Sequence, residues 1–97
     1  MNQYYKGIPA DNALFDGHFP GNPVVPGVVV LRYVLRQAAA EFADVDGIVS
    51  AKFTAPLKPG QGFEVALVAG DGGRIRFSVT SDGQAIATGV LAYTEAQ

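Results

Sequence analysis

His18-Phe19-Pro20-Gly21-Asn22-Pro23-Val24-Val25-Pro26-Gly27-Val28, continuing as Val29-Val30-Leu31-Arg32-Tyr33-Val34-Leu35, is the stretch whose reading decides the fold. Its first half is loop. Gly17, Pro20, Gly21, Pro23 and Pro26 alternate fixed and permissive backbone positions, so the segment from Pro9 to Pro26 is shaped rather than floppy. Its second half starts a helix that the sequence carries from Gly27 to about Ala43. Pro26 suits the entry, and Leu31, Leu35 and Ala38-Ala39-Ala40 support the propensity that the valines dilute. At 100° per residue, Val28, Val30, Leu31, Val34, Leu35, Ala39 and Phe42 fall on nearly every side, the pattern expected of a helix buried all round.

Outward from the helix, the chain turns to period two. A first short strand is expected from Tyr4 to Ile8, ended by Pro9. After the turn at Asp44 to Gly47, Ile48, Val49, Ala51 and Phe53 mark a strand. Phe63, Val65 and Leu67 share one face of the next, with Glu64 opposite. Ile75, Phe77 and Val79 repeat the pattern against Arg74, Arg76 and Ser78, and Ile86, Val90 and Ala92 belong to a last strand that Gly89 is expected to bend or bulge. Lys58-Pro59-Gly60, Gly70-Asp71-Gly72-Gly73 and Ser81-Asp82-Gly83 read as turns. The order is strand, helix, then four strands joined mainly by hairpins. This is an α+β pattern, an antiparallel sheet wrapped around one long central helix.

Composition narrows the function. The 97 residues read as one domain, 1–97, with 48% hydrophobic and 16% charged residues. A net charge of −2 with scattered basic residues argues against nucleic acid. The absence of cysteine removes disulfides, thiolate metal sites and cysteine nucleophiles, and a single histidine rules out a histidine-rich metal cluster. Met1 to Lys6 lacks the apolar stretch of a signal peptide, and Val28 to Leu31 is far short of a membrane span, so the expected setting is cytoplasmic, off the membrane. So small and apolar a domain often completes its core by associating with another.

The His18 to Val28 block resembles the signature of the β-hydroxyacyl-(acyl carrier protein) dehydratases, both the elongation type and the isomerising decanoyl type. Phe15-Asp16-Gly17 is closer to the latter. Lys52-Phe53 through Pro56, with Pro59-Gly60, resembles the strand and turn that follow the helix in that family. The resemblance implies a hot-dog fold and a homodimer whose active sites lie at the interface, fed by an apolar acyl tunnel. It implies an acyl thioester substrate carried on acyl carrier protein, and no metal or organic cofactor.

Dehydration of a 3-hydroxyacyl thioester needs a base at C2, an acid for the departing hydroxyl and a donor for the thioester oxygen. His18 is the candidate base, since an imidazole titrates near neutrality. A single histidine taken alone is more often structural. Gly27 is the candidate donor through its backbone N–H at the helix start, and it also permits a tight loop-to-helix junction. Both readings of Gly27 can hold together. The resemblance implies that the Val24 carbonyl orients the His18 ring, and places Phe19, Val24, Pro26 and Val28 about the substrate. The family's acidic residue, Glu or Asp, falls fourteen residues after the histidine, where this chain has Arg32. Arginine stays protonated and cannot act as that acid.

Three accounts of Arg32 follow: it binds an anion on the substrate or carrier, it pairs with Asp16 or Glu41, or the site has kept binding and lost chemistry. Arg36, one turn on, is expected to reach solvent. Asp16 and Tyr33 are the candidate replacement acids, whereas Tyr4 and Tyr5 read as strand residues. The reading is therefore a 3-hydroxyacyl-thioester dehydratase-like lyase of fatty acid, polyketide or polyene synthesis. Its alternatives are a non-catalytic acyl-thioester-binding partner subunit and a hot-dog acyl thioesterase.

Overall fold

The computed structural model describes residues 2–8, 24–42 and 44–94. Five strands and one helix follow the order β1 (Asn2–Tyr5), α1 (Gly27–Glu41), β2 (Val45–Phe53), β3 (Phe63–Ala69), β4 (Arg74–Ser81) and β5 (Gln84–Tyr93). The strands form one antiparallel sheet in the order β1-β3-β4-β5-β2. The last two connections are hairpins. Between β4 and β5, Ser81 pairs with Gln84 around Asp82 and Gly83, both at positive φ, the two-residue turn whose twist matches that of the strands. The β2–β3 connection instead crosses the sheet, leaving β2 as one edge and β1 as the other.

Phe63, Val65 and Leu67 of β3 and Ile75, Phe77 and Val79 of β4 are buried on one face, as their alternation predicts, and α1 packs against it through Val29, Val30, Val34 and Ala38. Burying each such side chain contributes about 1.5–3 kcal/mol, so this face is the main source of stability. Five expectations need correction, the first being the turn at Asp44 to Gly47, since β2 already begins at Val45. The first strand is Asn2–Tyr5, and Ile8 beyond it is a fully buried plug whose carbonyl accepts from the Gly60 amide at 2.8 Å. The helix stops at Glu41, with the Phe42 backbone already extended.

The helix is also not buried all round. Val28, Arg32, Arg36, Ala39 and Ala40 are exposed along one stripe, because a single five-stranded sheet covers only one side of it. Finally, the irregularity in β5 falls at Ile86, not Gly89. Val79 pairs with Ala87 and Thr80 with Ala85, so Ile86 is the extra residue, and both Ile86 and Ala87 are buried. Gly89 has a different duty: a Cβ there would lie 2.5 Å from the Phe77 ring.

Candidate functional site

The N-terminal end of α1 opens on a cavity of about 500 Å³. Val24, Val25, Pro26, Gly27 and Val30 line one side, and Phe53 through Leu57 with Ile86 line the other. Each wall is fixed by backbone bonds. The Val25 amide donates to the Leu57 carbonyl at 2.7 Å, drawing the helix entry onto the segment after β2. Thr54 and Ala55 donate their amides to the Ile86 carbonyl at 2.9 and 3.4 Å, and the Thr54 hydroxyl donates to the Ala85 carbonyl at 3.0 Å. The bulge at Ile86 thus serves the cavity twice, turning a side chain into it and anchoring its far wall.

Pro26 caps α1 without a side-chain bond, and its carbonyl accepts from Val29 at 2.9 Å and Val30 at 3.4 Å. The amides of Gly27 and Val28 therefore have no acceptor within the helix and stand at its positive end. No acidic residue occupies the first turn to neutralise that end. A Cβ on Gly27 would lie 2.8 Å from the Phe53 ring, so only glycine lets Phe53 close over the helix start. The arrangement suits a carbonyl oxygen gaining negative charge beside an apolar chain.

The structure brings Val24, Pro26 and Gly27 together at this cavity. Val28 and Arg32 lie instead on the exposed stripe of α1 and do not line it. His18, Phe19 and Asp16 lie outside the described residues. Tyr33 is turned away: its ring sits edge-on to Tyr5 at 5.1 Å and to Phe63 at 5.4 Å, in an aromatic cluster on the opposite flank. The proposed pairing of Arg32 with Glu41 does not form. Nine residues are two and a half helical turns, which puts the two on opposite sides of α1 and ~14 Å apart along its axis. One Glu41 carboxylate oxygen is buried with no hydrogen-bond partner among the described residues.

The sequence reading missed Leu57, Ile86 and the lid-like ring of Phe53 as parts of the site. Phe53 was legible as a strand residue only, since its contact with Gly27 joins elements 26 positions apart. Among the described residues, no group of three His, Cys, Asp or Glu side chains is placed to hold a metal, and no helix is long and apolar enough to cross a membrane.

A sheet wrapped on one face around a single long helix, with an apolar cavity at that helix's N-terminus, is the hot-dog fold. The family model described as ApeI dehydratase (ApeI-like) matches residues 2–90, and the chain belongs to this dehydratase family. A 3-hydroxyacyl-[acyl-carrier-protein] dehydratase FabZ of Latilactobacillus sakei is 36% identical over 70 residues, covering 62% of this chain and 50% of the relative. The FabZ of Chlamydia trachomatis is 31% identical, covering 91% of this chain and 68% of the relative. The chain thus spans half the length of the first of these relatives and about two thirds of the second. Among solved structures, the dehydratase heterocomplex ApeI:P from Xenorhabdus doucetiae superposes with a TM-score of 0.79 at 24% identity, covering 94% of this chain and 83% of that one.

Proposed function

We propose that this chain is a 3-hydroxyacyl-thioester dehydratase-like protein that takes acyl groups from acyl carrier protein in fatty acid, polyketide or polyene synthesis. The observation that carries this reading is the apolar cavity at the unneutralised helix start, with Gly27 on its wall. The acyl chain lies among Val24, Val25, Val30, Leu57 and Ile86. The thioester oxygen accepts from the Gly27 amide, which lowers the cost of charge developing there as the C2 proton leaves. His18 is the base that takes this proton and, as imidazolium, returns it to the C3 hydroxyl as the C3–O bond breaks, so that one water leaves. Phe19, Pro26 and Val28 shape the approach. The reaction as proposed needs no cofactor, and the setting it implies is the cytoplasm.

The working unit we infer is a homodimer joined along β2. That edge is long, and Ile48, Val49 and Phe53 on it are 40%, 53% and 45% exposed, with Val28 beside the helix start 56% exposed. Bulges at Asp46 and Val49 and the charge of Lys52 interrupt this edge, and its exposed apolar side chains are what a second strand would cover. Val49→Lys should convert the dimer to monomer in sedimentation analysis with little change in chain stability. An unchanged dimer would place the interface elsewhere.

A second reading, a non-catalytic partner subunit, is favoured by Arg32. It stands exposed where the resemblance expects the acid, with no carboxylate paired to it among the described residues. In the dehydratase reading Arg32 holds an anionic group of the substrate or its carrier. In the partner reading a homologous acid-bearing chain completes the site. The deciding assay incubates the protein with 3-hydroxyacyl and 2-enoyl thioesters of several lengths and follows mass. Loss or gain of one water supports the dehydratase, and release of free acid moves the reading to a thioesterase. Silence alone, with turnover appearing when an acid-bearing homologue is added, establishes the partner subunit.

A further inference from the structure

The face of the sheet turned away from α1 carries a second groove, of about 590 Å³, spanning β2, β5, β4 and β3. Register places its polar side chains in two adjoining rows. Lys52 pairs with Thr88 and Thr88 with Ser78, while Ser50 pairs with Val90 and Val90 with Arg76. Since residues two apart share a face, Arg76 stands beside Ser78, and the four groups Lys52, Thr88, Ser78 and Arg76 surround one patch of sheet. The floor is low at Ala66, whose side chain is a single methyl on this face. Val68, 63% exposed, forms an apolar wall beside Arg76.

Two facts set this groove apart from an ordinary solvated face. No carboxylate lines it, although acidic residues outnumber basic ones nine to seven in the chain. None of Ser50, Lys52, Arg76, Ser78 or Thr88 has a side-chain hydrogen bond or ion pair to another described residue. Two cations approach from opposite ends, with adjacent hydroxyls between them, all of them unengaged donors.

We propose that this groove is a binding site for a small phosphate-bearing ligand. A carboxylate is satisfied by one guanidinium. A phosphate monoester, with its three strong acceptor oxygens and near double charge, can use the Arg76 fork, the Lys52 ammonium and the Ser78 and Thr88 hydroxyls together. The uncharged remainder of the ligand lies along Val68 and Val90. The site is independent of the acyl cavity, which opens on the other face of the sheet.

The test is a titration of the isotopically labelled full chain with inorganic phosphate and, separately, adenosine monophosphate, followed by amide NMR. Saturable shifts centred on Lys52, Arg76, Ser78 and Thr88 are expected, with the organic phosphate binding more tightly. Equal affinities would identify inorganic phosphate itself as the ligand. Lys52→Gln with Arg76→Gln should weaken binding about tenfold or more while leaving the melting temperature unchanged. Ser78→Ala alone should weaken it by a smaller factor. Non-saturating shifts spread equally over Lys58 and Arg74, or undiminished binding by the double variant, would overturn the proposal. So would an acidic peptide that binds the groove more tightly than either phosphate, since that would make the face a protein-docking surface.

Discussion

The two ends of α1 are built on opposite principles. From the middle of the helix onward the sheet-facing flank is closely packed and hydrogen-bonded, with one buried Glu41 carboxylate oxygen left without a partner among the described residues. Gln37 is buried, accepts from the Tyr5 hydroxyl at 3.0 Å and donates to the Val65 carbonyl at 3.1 Å. Tyr5 and Phe63 stack at 5.2 Å with Tyr33 edge-on to both, and Phe42 packs against Tyr93 at 5.3 Å. At the N-terminal end, the corresponding volume is left open and its polar groups lack intrahelical partners. A small domain has one core with which to hold itself together. Here the core runs along the helix, and Val25, Val29, Val30, Leu57 and Ile86 are buried around the cavity as Val34 and Ala38 are beyond it, so the opening at the helix start is held by a packed frame.

That contrast can be broken from either side. Phe63→Ala removes the centre of the closed end and should cost about 3–5 kcal/mol, read as a large fall in melting temperature. Binding of acyl thioesters by the molecules that remain folded should not change. Gln37→Leu leaves the Val65 carbonyl and the Tyr5 hydroxyl without their partner and should cost about 1–3 kcal/mol in chemical denaturation, again with thioester binding retained. If thioester binding failed in these variants at temperatures where they are folded, the two ends would not be independent.

At the open end, Gly27→Ala should reverse the pattern. Thioester binding or turnover should fall about tenfold, a loss of ~1.4 kcal/mol, while the displaced Phe53 ring, being half-exposed, yields at little cost in stability. Adding Phe53→Ala to Gly27→Ala separates the causes. Recovery would assign the loss to steric closure, and no recovery to the helix-start geometry itself.

The smallest effect concerns pH. Burial, reinforced by the Glu41 carboxylate, raises the Tyr5 phenol above its ordinary value of about 10. The folded state therefore holds this proton more tightly than the unfolded chain does. Its stabilising contribution is complete below about pH 10 and is lost as pH rises through the folded-state value. Tyr5→Phe should cost about 0.5–1.5 kcal/mol at neutral pH and flatten the alkaline decline in stability. An alkaline limb identical to that of the parent protein would show that another group titrates there.

Much of this was legible in the residues. The alternation of Phe63-Val65-Leu67 and Ile75-Phe77-Val79 predicted both strands and their buried faces, because the period of a strand is local. The dipeptide Asp82-Gly83 predicted its hairpin for the same reason. Val24, Pro26 and Gly27 were placed together by their closeness in sequence. Reading failed where a residue's fate depends on a distant partner. Val28 looked like core and is exposed, because how much of a helix is covered depends on the width of the sheet beneath it. Tyr33 looked available beside Arg32, yet Tyr5 and Phe63 from two strands claim its ring. Ile86 read only as a member of the last strand, and only the pairing of β4 with β5 shows that it is the bulge that builds the cavity wall.

By itself, then, the sequence determined the elements, the inward faces of β3 and β4, and the position of Gly27 at a helix start, since each depends on neighbours within a few residues. Only the tertiary structure decided which flank of α1 faces the sheet, that the cavity closes between Val25, Phe53 and Ile86, and that Lys52, Thr88, Ser78 and Arg76 meet on the outer face. Those meetings are fixed by strand register and by a crossover connection. Both are global properties of the chain, set by the single packing that buries the apolar faces together.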